Sequence, residues 1–250
     1  MRSRRLGQHF LNSTRLAERI ARTAGVENEL VVEIGPGKGI LTKQLARIAS
    51  RVVAVEIDSR LAASLGALRI PRVDVLNLDF LKVDLRNFDH PVIVGNIPYG
   101  ITSAITEKLI LGKKYLKQAL LTVQKEYGSK MTATLGHPQY GYTSICVNYH
   151  FDICRHFAVA ARYFSPKPKV SSVVVTLRPK EGVYDQKDEL GFFEFVAGVF
   201  RYRRKSLKNA ILNYLGWYPQ EMDNTLLAKR PQDLRVDDYY RIYTMVSGER

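Results

Sequence analysis

The tetrapeptide Asn96-Ile97-Pro98-Tyr99 combines residue types that could activate a weakly nucleophilic amine. An amine on an aromatic ring delocalises its lone pair into the ring, so an enzyme must restore that lone pair before the nitrogen can attack. The Asn96 side-chain oxygen and the Ile97 carbonyl offer two acceptors for the amine hydrogens. Pro98 holds Ile97 in extended conformations, and Tyr99 offers a flat face for stacking a base. The quartet therefore predicts a site that positions the exocyclic amine of a base.

A turn with these residue types also arises by chance, in about one chain in ten of this length. The glycine turn around Gly35 and Gly37 makes chance less plausible, because it follows an apolar strand pattern and leads into a helix. Glycines there let a ligand approach the backbone. The dinucleotide fingerprint is excluded because Ile40 stands where its third glycine belongs, and the Gly-Lys-Ser/Thr of a P-loop is absent.

Acidic residues end the next two strand patterns. Glu56 follows the glycine turn by about 20 residues, the distance at which a carboxylate reaches ribose hydroxyls. Asp79 could accept a hydrogen bond from an adenine amine. Both acids could instead be ordinary solvated strand-end residues. Because the carboxyl ends of parallel strands meet in one crevice, their convergence with Gly35 and Asn96 favours a site for the methyl donor S-adenosylmethionine.

Methyl transfer from a sulfonium is a direct displacement, so positioning of the amine should matter more than a strong base. None of the five histidines lies in a triad-like motif, and no nucleophilic Ser or Cys signature occurs. The two cysteines, Cys146 and Cys154, show no zinc spacing, and we expect both to fill the core. No metal cofactor is predicted.

Short Val- and Ile-rich runs alternate with helical patterns along the first 180 residues, which predicts an α/β fold of repeated βα units around a mostly parallel sheet. The strand candidates are Leu30 to Ile34, Arg51 to Ile57, Val73 to Leu78, Pro91 to Val94, Ala119 to Val123, Phe151 to Ala158 and Val170 to Leu177. The last two fit an antiparallel edge. Helical candidates include Ser13 to Ala24 and Ile40 to Ala49.

The composition changes after residue 180 to amphipathic segments around Phe192 to Val199, Ser206 to Leu215 and Asp237 to Val246. We therefore expect a domain at 1–180, which binds the cofactor and carries the catalytic residues, and a small α-helical C-terminal domain at 181–250. No apolar run is long enough to span a membrane or to serve as a signal peptide, so a cytoplasmic location is expected.

The formal net charge is +14 at pH 7, which favours a polyanionic partner. The stretch 155–180 has six basic residues and no acidic one, among them Arg162, Lys167 and Lys169. A second run, Arg201, Arg203, Arg204, Lys205 and Lys208, lies on a helical pattern that places residues 201, 205 and 208 on one face. A single charged run is usually a solvated face. Several runs interleaved with Phe, Tyr and Pro favour RNA binding, to which both sets are assigned.

Seven motifs in this order resemble the ribosomal RNA adenine N6,N6-dimethyltransferase family of the KsgA type, which is related to the macrolide-resistance methyltransferases. They are LGQHFL from Leu6, EIGPGKGILT from Glu33, VVAVEID from Val52, GNIPYGITS from Gly95, TVQKEYGSKM from Thr122, FSPKPKVSSVVV from Phe164 and FRYRRKSLKNAIL from Phe200. The resemblance covers essentially the whole chain. It implies a Rossmann-like class I methyltransferase fold with a seven-stranded sheet. The chain departs from the family pattern at Ile97, where Leu is commoner, and at Gly100, where a larger polar residue is frequent.

The resemblance also implies roles for single residues. S-adenosylmethionine would contact His9, Leu11, Gly35, Glu56, Asp79 and Asn96, and the glycine turn adds Gly37. The acceptor pocket would consist of Asn96, Ile97, Pro98 and Tyr99, with Phe164 as a second aromatic wall. The implied reaction is dimethylation of two neighbouring adenines near the 3′ end of small-subunit ribosomal RNA, on a pre-ribosomal particle whose assembly the protein would also serve. We expect it to act as a monomer.

Two alternatives remain open. The same chemistry could modify large-subunit ribosomal RNA, as in the macrolide-resistance methyltransferases, although FRYRRKSLKNAIL and the closing RPQDLRVDDYYRIY look more like the small-subunit type. The chain could also be an RNA-binding assembly factor without turnover. Intact Gly35, Glu56, Asn96 and Tyr99 argue against that.

Overall fold

The computed structural model describes residues 8–180 and 189–248. Leu6 and Gly7 of the first motif, and residues 181–188 at the predicted domain boundary, lie outside the described residues. The described chain divides into two compact units. One comprises residues 8–128 and 152–179, and the other comprises 129–151, 180 and 189–248.

The first unit is built on a seven-stranded sheet in the order β4-β3-β2-β5-β6-β9-β7. Strands β2 to β6 pair in parallel, and β9 pairs with β6 in the antiparallel direction. A separate antiparallel ladder joins β1 to β8. The strands are β1 (Phe10–Leu11), β2 (Leu30–Ile34), β3 (Arg51–Val55), β4 (Val73–Leu76), β5 (Val92–Asn96), β6 (Gln118–Gln124), β7 (Phe151–Val159), β8 (Phe164–Ser165) and β9 (Ser172–Pro179).

Helix α1 (Thr14–Thr23) precedes β2, and α2 (Ile40–Leu45), α3 (Ser59–Ala67) and α4 (Thr102–Leu111) follow β2, β3 and β5. Helix α5 (Lys125–Met131) follows β6, and its last three residues are assigned to the second unit. Helix α1 begins where the Ser13 hydroxyl accepts a hydrogen bond from the Leu16 N–H, and it buries Leu16 and Ile20 against the core. The central strands are almost wholly buried, as expected for parallel strands covered on both faces.

The predicted mostly parallel, seven-stranded sheet is confirmed. The antiparallel direction predicted for its edge is confirmed for β9, which pairs with β6, and β7 lies next to β9 at the end of the sheet. The expectation that both cysteines fill the core holds only for Cys146. Cys154 is exposed because β7 is the edge strand and most of its residues reach solvent.

The second unit is helical. Its elements are α6 (Tyr142–His150), α7 (Glu189–Phe200), α8 (Leu207–Leu215), α9 (Asn224–Ala228) and α10 (Val236–Gly248). Buried aromatic rings form much of its core, and the rings of Tyr149 and Phe192 stack with centroids 4.6 Å apart. Because residues 129–151 pack with this unit, it contains a segment that a single boundary near residue 180 does not include. The functional roles assigned to the two parts stay predictions.

The helix predicted over residues 201–208 is wrong for residues 201–205. Helix α7 ends at Phe200 and residues 201–205 form turns. Ser206 then starts α8 in an extended conformation, and its hydroxyl accepts a hydrogen bond from the Asn209 N–H. Residues 201, 205 and 208 therefore do not share the face of one helix.

Candidate functional site

A pocket lies at the carboxyl ends of β2, β3 and β5. The chain places β3 on one side of β2 and β5 on the other, and open parallel sheets bind ligands at such a reversal of strand order. The segment that contains β1 also lines it. The described lining residues are Gln8, His9, Phe10, Leu11, Glu33, Gly35, Pro36, Lys38, Ile40, Leu41, Glu56, Asn96, Ile97, Pro98 and Tyr99. Eight predicted site residues thus meet in one pocket: His9, Leu11, Gly35, Glu56 and the quartet 96–99.

Asn96 ends β5, and a hydrogen bond orients its side chain. Its Nδ2 donates to the His9 backbone carbonyl over 2.7 Å. Because the amide nitrogen is engaged in this way, the Oδ1 atom is the end left to accept a hydrogen bond in the pocket. Among the described residues, no donor hydrogen-bonds the Ile97 carbonyl oxygen. Two acceptors are therefore available at adjacent positions.

The rest of the quartet is held by its neighbours. The Ile97 N–H donates to the Thr122 carbonyl on β6 (3.0 Å), and the Ile97 side chain is buried. The half-buried Tyr99 ring lies 5.2 Å from the His9 ring, centroid to centroid. The Tyr99 hydroxyl is 3.1 Å from the Ser172 hydroxyl on β9, within hydrogen-bonding distance. The ring is thus anchored at its polar end.

Glu56 follows β3 and is 1% exposed. Its two carboxylate oxygens accept hydrogen bonds from the backbone N–H groups of Gly37 and Asp58, each over 3.0 Å. Each oxygen can accept a further hydrogen bond, so the carboxylate keeps capacity for a ligand hydroxyl. These contacts fix Glu56 against the glycine turn.

Glu33 lines the same pocket, although no role was predicted for it from the sequence. Its Oε2 atom is buried without a hydrogen-bond partner among the described residues. Burial raises the pKa of Glu33 to about 8; the nearby Thr42 hydroxyl opposes this shift and the Glu56 carboxylate adds to it. The Thr42 hydroxyl makes no hydrogen bond of normal geometry. A glutamate in the middle of the apolar strand pattern LVVEI was the available signal.

The two glycines of the turn differ in their surroundings. Gly35 and Gly37 both adopt positive φ angles, +61° and +56°. A Cβ atom at Gly37 would lie 2.6 Å from a carbon of the Phe10 ring, whereas a Cβ at Gly35 would meet nothing within 4 Å. Gly37 therefore lets the β1 segment pack closely, and Gly35 leaves open space in the pocket.

Three predicted site residues do not line this pocket. Gly37 contributes its N–H to Glu56 instead. Asp79 begins a short 3-10 helix, where its carboxylate accepts from the Leu81 N–H (2.9 Å). Phe164 is 3% exposed and packs in the hydrophobic core, with Leu11 opposite it in the β1–β8 ladder. The ligand contacts assigned to these residues stay predictions.

All eight residues assigned to RNA binding are exposed: Arg162, Lys167, Lys169, Arg201, Arg203, Arg204, Lys205 and Lys208. The first three belong to the first unit and the others to the second. Within residues 8–180 and 189–248, no cluster of metal-ligating side chains was found. Among the helices that the structure describes, none combines the length and apolar character needed to cross a bilayer.

Comparisons with known proteins agree with this site. Residues 2–247 match the family model described as ribosomal RNA adenine dimethylase. The chain is 36% identical over 244 residues to a ribosomal RNA small subunit methyltransferase A of Thermotoga neapolitana, covering 96% of this chain and 90% of the relative. It resembles a dimethyladenosine transferase of Plasmodium falciparum with a TM-score of 0.83 and 25% identity, over 96% of this chain and 98% of the other.

The chain also resembles the 23S rRNA methyltransferase ErmE, with a TM-score of 0.71 and 28% identity, over 95% of this chain and 99% of the other. This likeness agrees with the predicted relation to the macrolide-resistance enzymes. The family model spans nearly the whole chain and includes every residue of the pocket. The chain belongs to the ribosomal RNA adenine dimethylase family.

Proposed function

We propose that this protein transfers methyl groups from S-adenosylmethionine to the N6 amines of two adjacent adenines near the 3′ end of small-subunit ribosomal RNA. It would act on a pre-ribosomal particle in the cytoplasm and so take part in small-subunit assembly. The observation that carries the proposal is the orientation of Asn96. Its Nδ2 is bound to the His9 carbonyl, so its Oδ1 faces the incoming amine as an acceptor.

Asn96 and Ile97 activate the amine together. The Asn96 Oδ1 and the Ile97 carbonyl each accept one amine hydrogen, which draws the nitrogen towards a tetrahedral geometry and aims its lone pair. Tyr99, anchored at its hydroxyl by Ser172, stacks on the base and holds it against these acceptors. A base of the wrong size or without an amine hydrogen would lose one of these contacts.

The pocket fits the cofactor at three points. When bound, S-adenosylmethionine supplies an electrophilic methyl group on a sulfonium. The buried, unpartnered Oε2 of Glu33 suits a cationic group such as an ammonium. The open space over Gly35 leaves room for a ligand beside the backbone, and Glu56 keeps acceptor capacity for ribose hydroxyls.

Two exposed apolar side chains stand beside Glu56, and they suit the adenine ring of the cofactor. Ile57 and Leu78 are 51% and 40% exposed, although both are large and apolar. The Leu78 N–H donates to the Glu56 carbonyl (3.1 Å), which brings the ends of β3 and β4 together. Covering these side chains with a flat ring would remove apolar surface from water.

The large-subunit alternative is kept as a second candidate because ErmE, named as a 23S rRNA methyltransferase, shares the fold at 28% identity. Incubating each purified ribosomal subunit precursor with the enzyme and labelled S-adenosylmethionine separates the two. We expect label in the small-subunit RNA. Label confined to the large-subunit RNA would assign the second function, and no label in either would favour an assembly factor without turnover.

The exposed basic residues supply RNA affinity in this proposal. Lys and Arg side chains that contact phosphates release counterions, so binding should weaken steeply with salt. The predicted set at 162, 167 and 169 and the basic turn at 201–205 with Lys208 are exposed as this role requires. They would hold the RNA without reading its sequence.

A further inference from the structure

An open groove runs between α1 and the end of β7. It belongs to the same unit as the pocket at the carboxyl ends of β2, β3 and β5, called the strand-end pocket below, and the two share no lining residue. It encloses about 830 Å³. Arg15, Arg19 and Arg22 line one side of it. These positions lie four and three residues apart, so the three side chains project from one face of α1, while Ala17 and Ala21 lie on the opposite, buried face.

Aromatic rings pack against Arg19 in the groove and against Arg162 beside it. The Arg19 guanidinium carbon lies 3.7 Å from the centroid of the Phe157 ring on β7. Tyr163 lines the groove, and the Arg162 guanidinium carbon is 5.1 Å from its ring centroid. A hydrogen bond from Arg162 and the positive charges of Arg162 and Arg15 lower the pKa of the Tyr163 hydroxyl. A stacked guanidinium keeps its N–H groups free for a planar acceptor.

Acidic residues do little to neutralise this charge. Glu18 is the single acid among the described residues that line the groove, and its carboxylate is bound to Arg22 over 2.7 Å. Arg15 and Arg19 have no carboxylate partner in the part of the chain that the structure describes. Arg155 lies two residues before Phe157, on the same face of β7, and extends the positive surface along the strand.

We propose that this groove binds the phosphodiester backbone of the ribosomal RNA beside the methylated segment. The inference rests on the proposed function, which supplies the polyanion. Guanidinium groups match phosphate geometry, and neither the stacked Arg19 nor Arg15 gives up an ion pair to make the contact. An RNA strand suits the open form of the groove better than a compact anion does.

The groove begins next to the segment of residues 8–11 that lines the strand-end pocket. Leu11 lines the pocket and Ser13 lines the groove, so their Cα atoms are at most ~7 Å apart. The Asn12 N–H donates to the Tyr163 carbonyl (3.0 Å), and the Asn12 Nδ2 donates to the Arg162 carbonyl (3.1 Å). RNA held in the groove would therefore be placed close to the acceptor pocket.

The test replaces the three arginines by glutamine (R15Q/R19Q/R22Q) and measures binding of a fluorescent RNA hairpin from the 3′ end of small-subunit ribosomal RNA. We expect a loss of at least tenfold in affinity at about 0.1 M salt, and a salt-dependence slope smaller by about 2. In methyl transfer, KM for RNA should rise while kcat stays within about twofold. The affinity for S-adenosylmethionine should be unchanged, which verifies the fold.

The matched control removes three charges from the other edge of the sheet, at exposed positions in α3 or after it (R60Q/R69Q/K82Q). It should change RNA affinity less than threefold. Equal losses in the two variants would overturn the proposal, as would an unchanged groove variant. The proposal would also be overturned if the groove variant lost binding to polyglutamate but kept its binding to RNA, because the groove would then bind an acidic protein. Because the readout is binding, failure of wild-type methyl transfer would reject the proposed function separately.

Discussion

The strand-end pocket and the groove lined by Arg15, Arg19 and Arg22 use polar side chains in opposite ways. In the pocket, Asn96 and Glu56 are fixed by backbone groups, and Glu33 is buried without a partner. In the groove, Arg15 and Arg19 are exposed and have no carboxylate partner among the described residues. Fixed groups of the first kind can direct a reaction, whereas exposed charges of the second kind can hold a polyanion. Changes in the pocket should therefore act on turnover, and changes to exposed charges should act on salt-dependent binding.

Replacing Asn96 by alanine should give the largest effect. The variant loses an acceptor that acts on the reacting amine, so we expect kcat to fall by roughly 10²- to 10³-fold. RNA affinity should stay within about twofold. Single-turnover methyl transfer with saturating RNA measures the first quantity, and hairpin binding measures the second. Asn96→Asp is the matched control, because it keeps an acceptor but loses the donor to His9. Unchanged turnover in Asn96→Ala would remove the proposed acceptor.

Replacing Glu33 by glutamine should change the dependence of stability on pH. The folded protein holds the Glu33 proton up to a pKa of about 8, far above the ordinary value of 4.5. The stabilisation that this proton gives is complete below about pH 4.5 and is lost as pH rises to about 8, by up to ~1.4 kcal/mol per pH unit. Without cofactor, Glu33→Gln should therefore match the wild type near pH 4 and exceed it near pH 9.

Urea denaturation at several pH values measures this difference, and the comparison at pH 4 is its internal control. The same variant should bind S-adenosylmethionine more weakly, because a neutral amide replaces the buried acid. Wild-type affinity should rise with pH between about 6 and 8 as Glu33 ionises, and the affinity of the variant should not. Parallel pH profiles for the two proteins would contradict the role of Glu33.

Alanine at Gly37 should destabilise the protein more than alanine at Gly35. Both substitutions force a side chain into a positive φ angle, at a cost of roughly 1 kcal/mol. Only at Gly37 does the new Cβ atom meet the Phe10 ring, at 2.6 Å. We expect an additional loss of about 1–2 kcal/mol in unfolding free energy for Gly37→Ala. Equal losses measured by urea denaturation would show that Phe10 does not pack closely at Gly37.

Neutralising the basic turn should give the smallest effect. R203Q/R204Q/K205Q is expected to weaken RNA binding about three- to tenfold and to lower the salt slope by roughly 1 to 2, without changing kcat. K229Q/R230Q/R241Q is the control, since these exposed residues belong to the same unit. A salt slope identical to that of the wild type would exclude the turn from RNA binding.

Much of the fold could be predicted because its signals are local. Strand β2 was predicted with the bounds that the structure has, since a short Val- and Ile-rich run before a glycine turn has few other interpretations. The convergence of Gly35, Glu56 and Asn96 followed from the rule that parallel strands end at one edge of a sheet. Helix-terminal signals were harder to interpret, as the turn at residues 201–205 shows.

The remaining features depend on contacts between distant parts of the chain. The hydrogen bond from Asn96 to the His9 carbonyl joins residues 87 positions apart, and no pattern in the sequence predicts it. The pairing of Leu11 with Phe164 is more remote still in sequence and places Phe164 in the core. The raised pKa of Glu33 arises from burial, which depends on the whole packed sheet.

Nucleoside mass spectrometry of small-subunit ribosomal RNA tests the central claim most directly. Precursor particles from cells that lack the enzyme are incubated with S-adenosylmethionine and either wild-type protein or Asn96→Ala. The wild type should produce N6,N6-dimethyladenosine at two adjacent positions near the 3′ end, and the variant should produce little or none. Unmethylated adenines after incubation with the wild type, or equal dimethylation by both proteins, would contradict it.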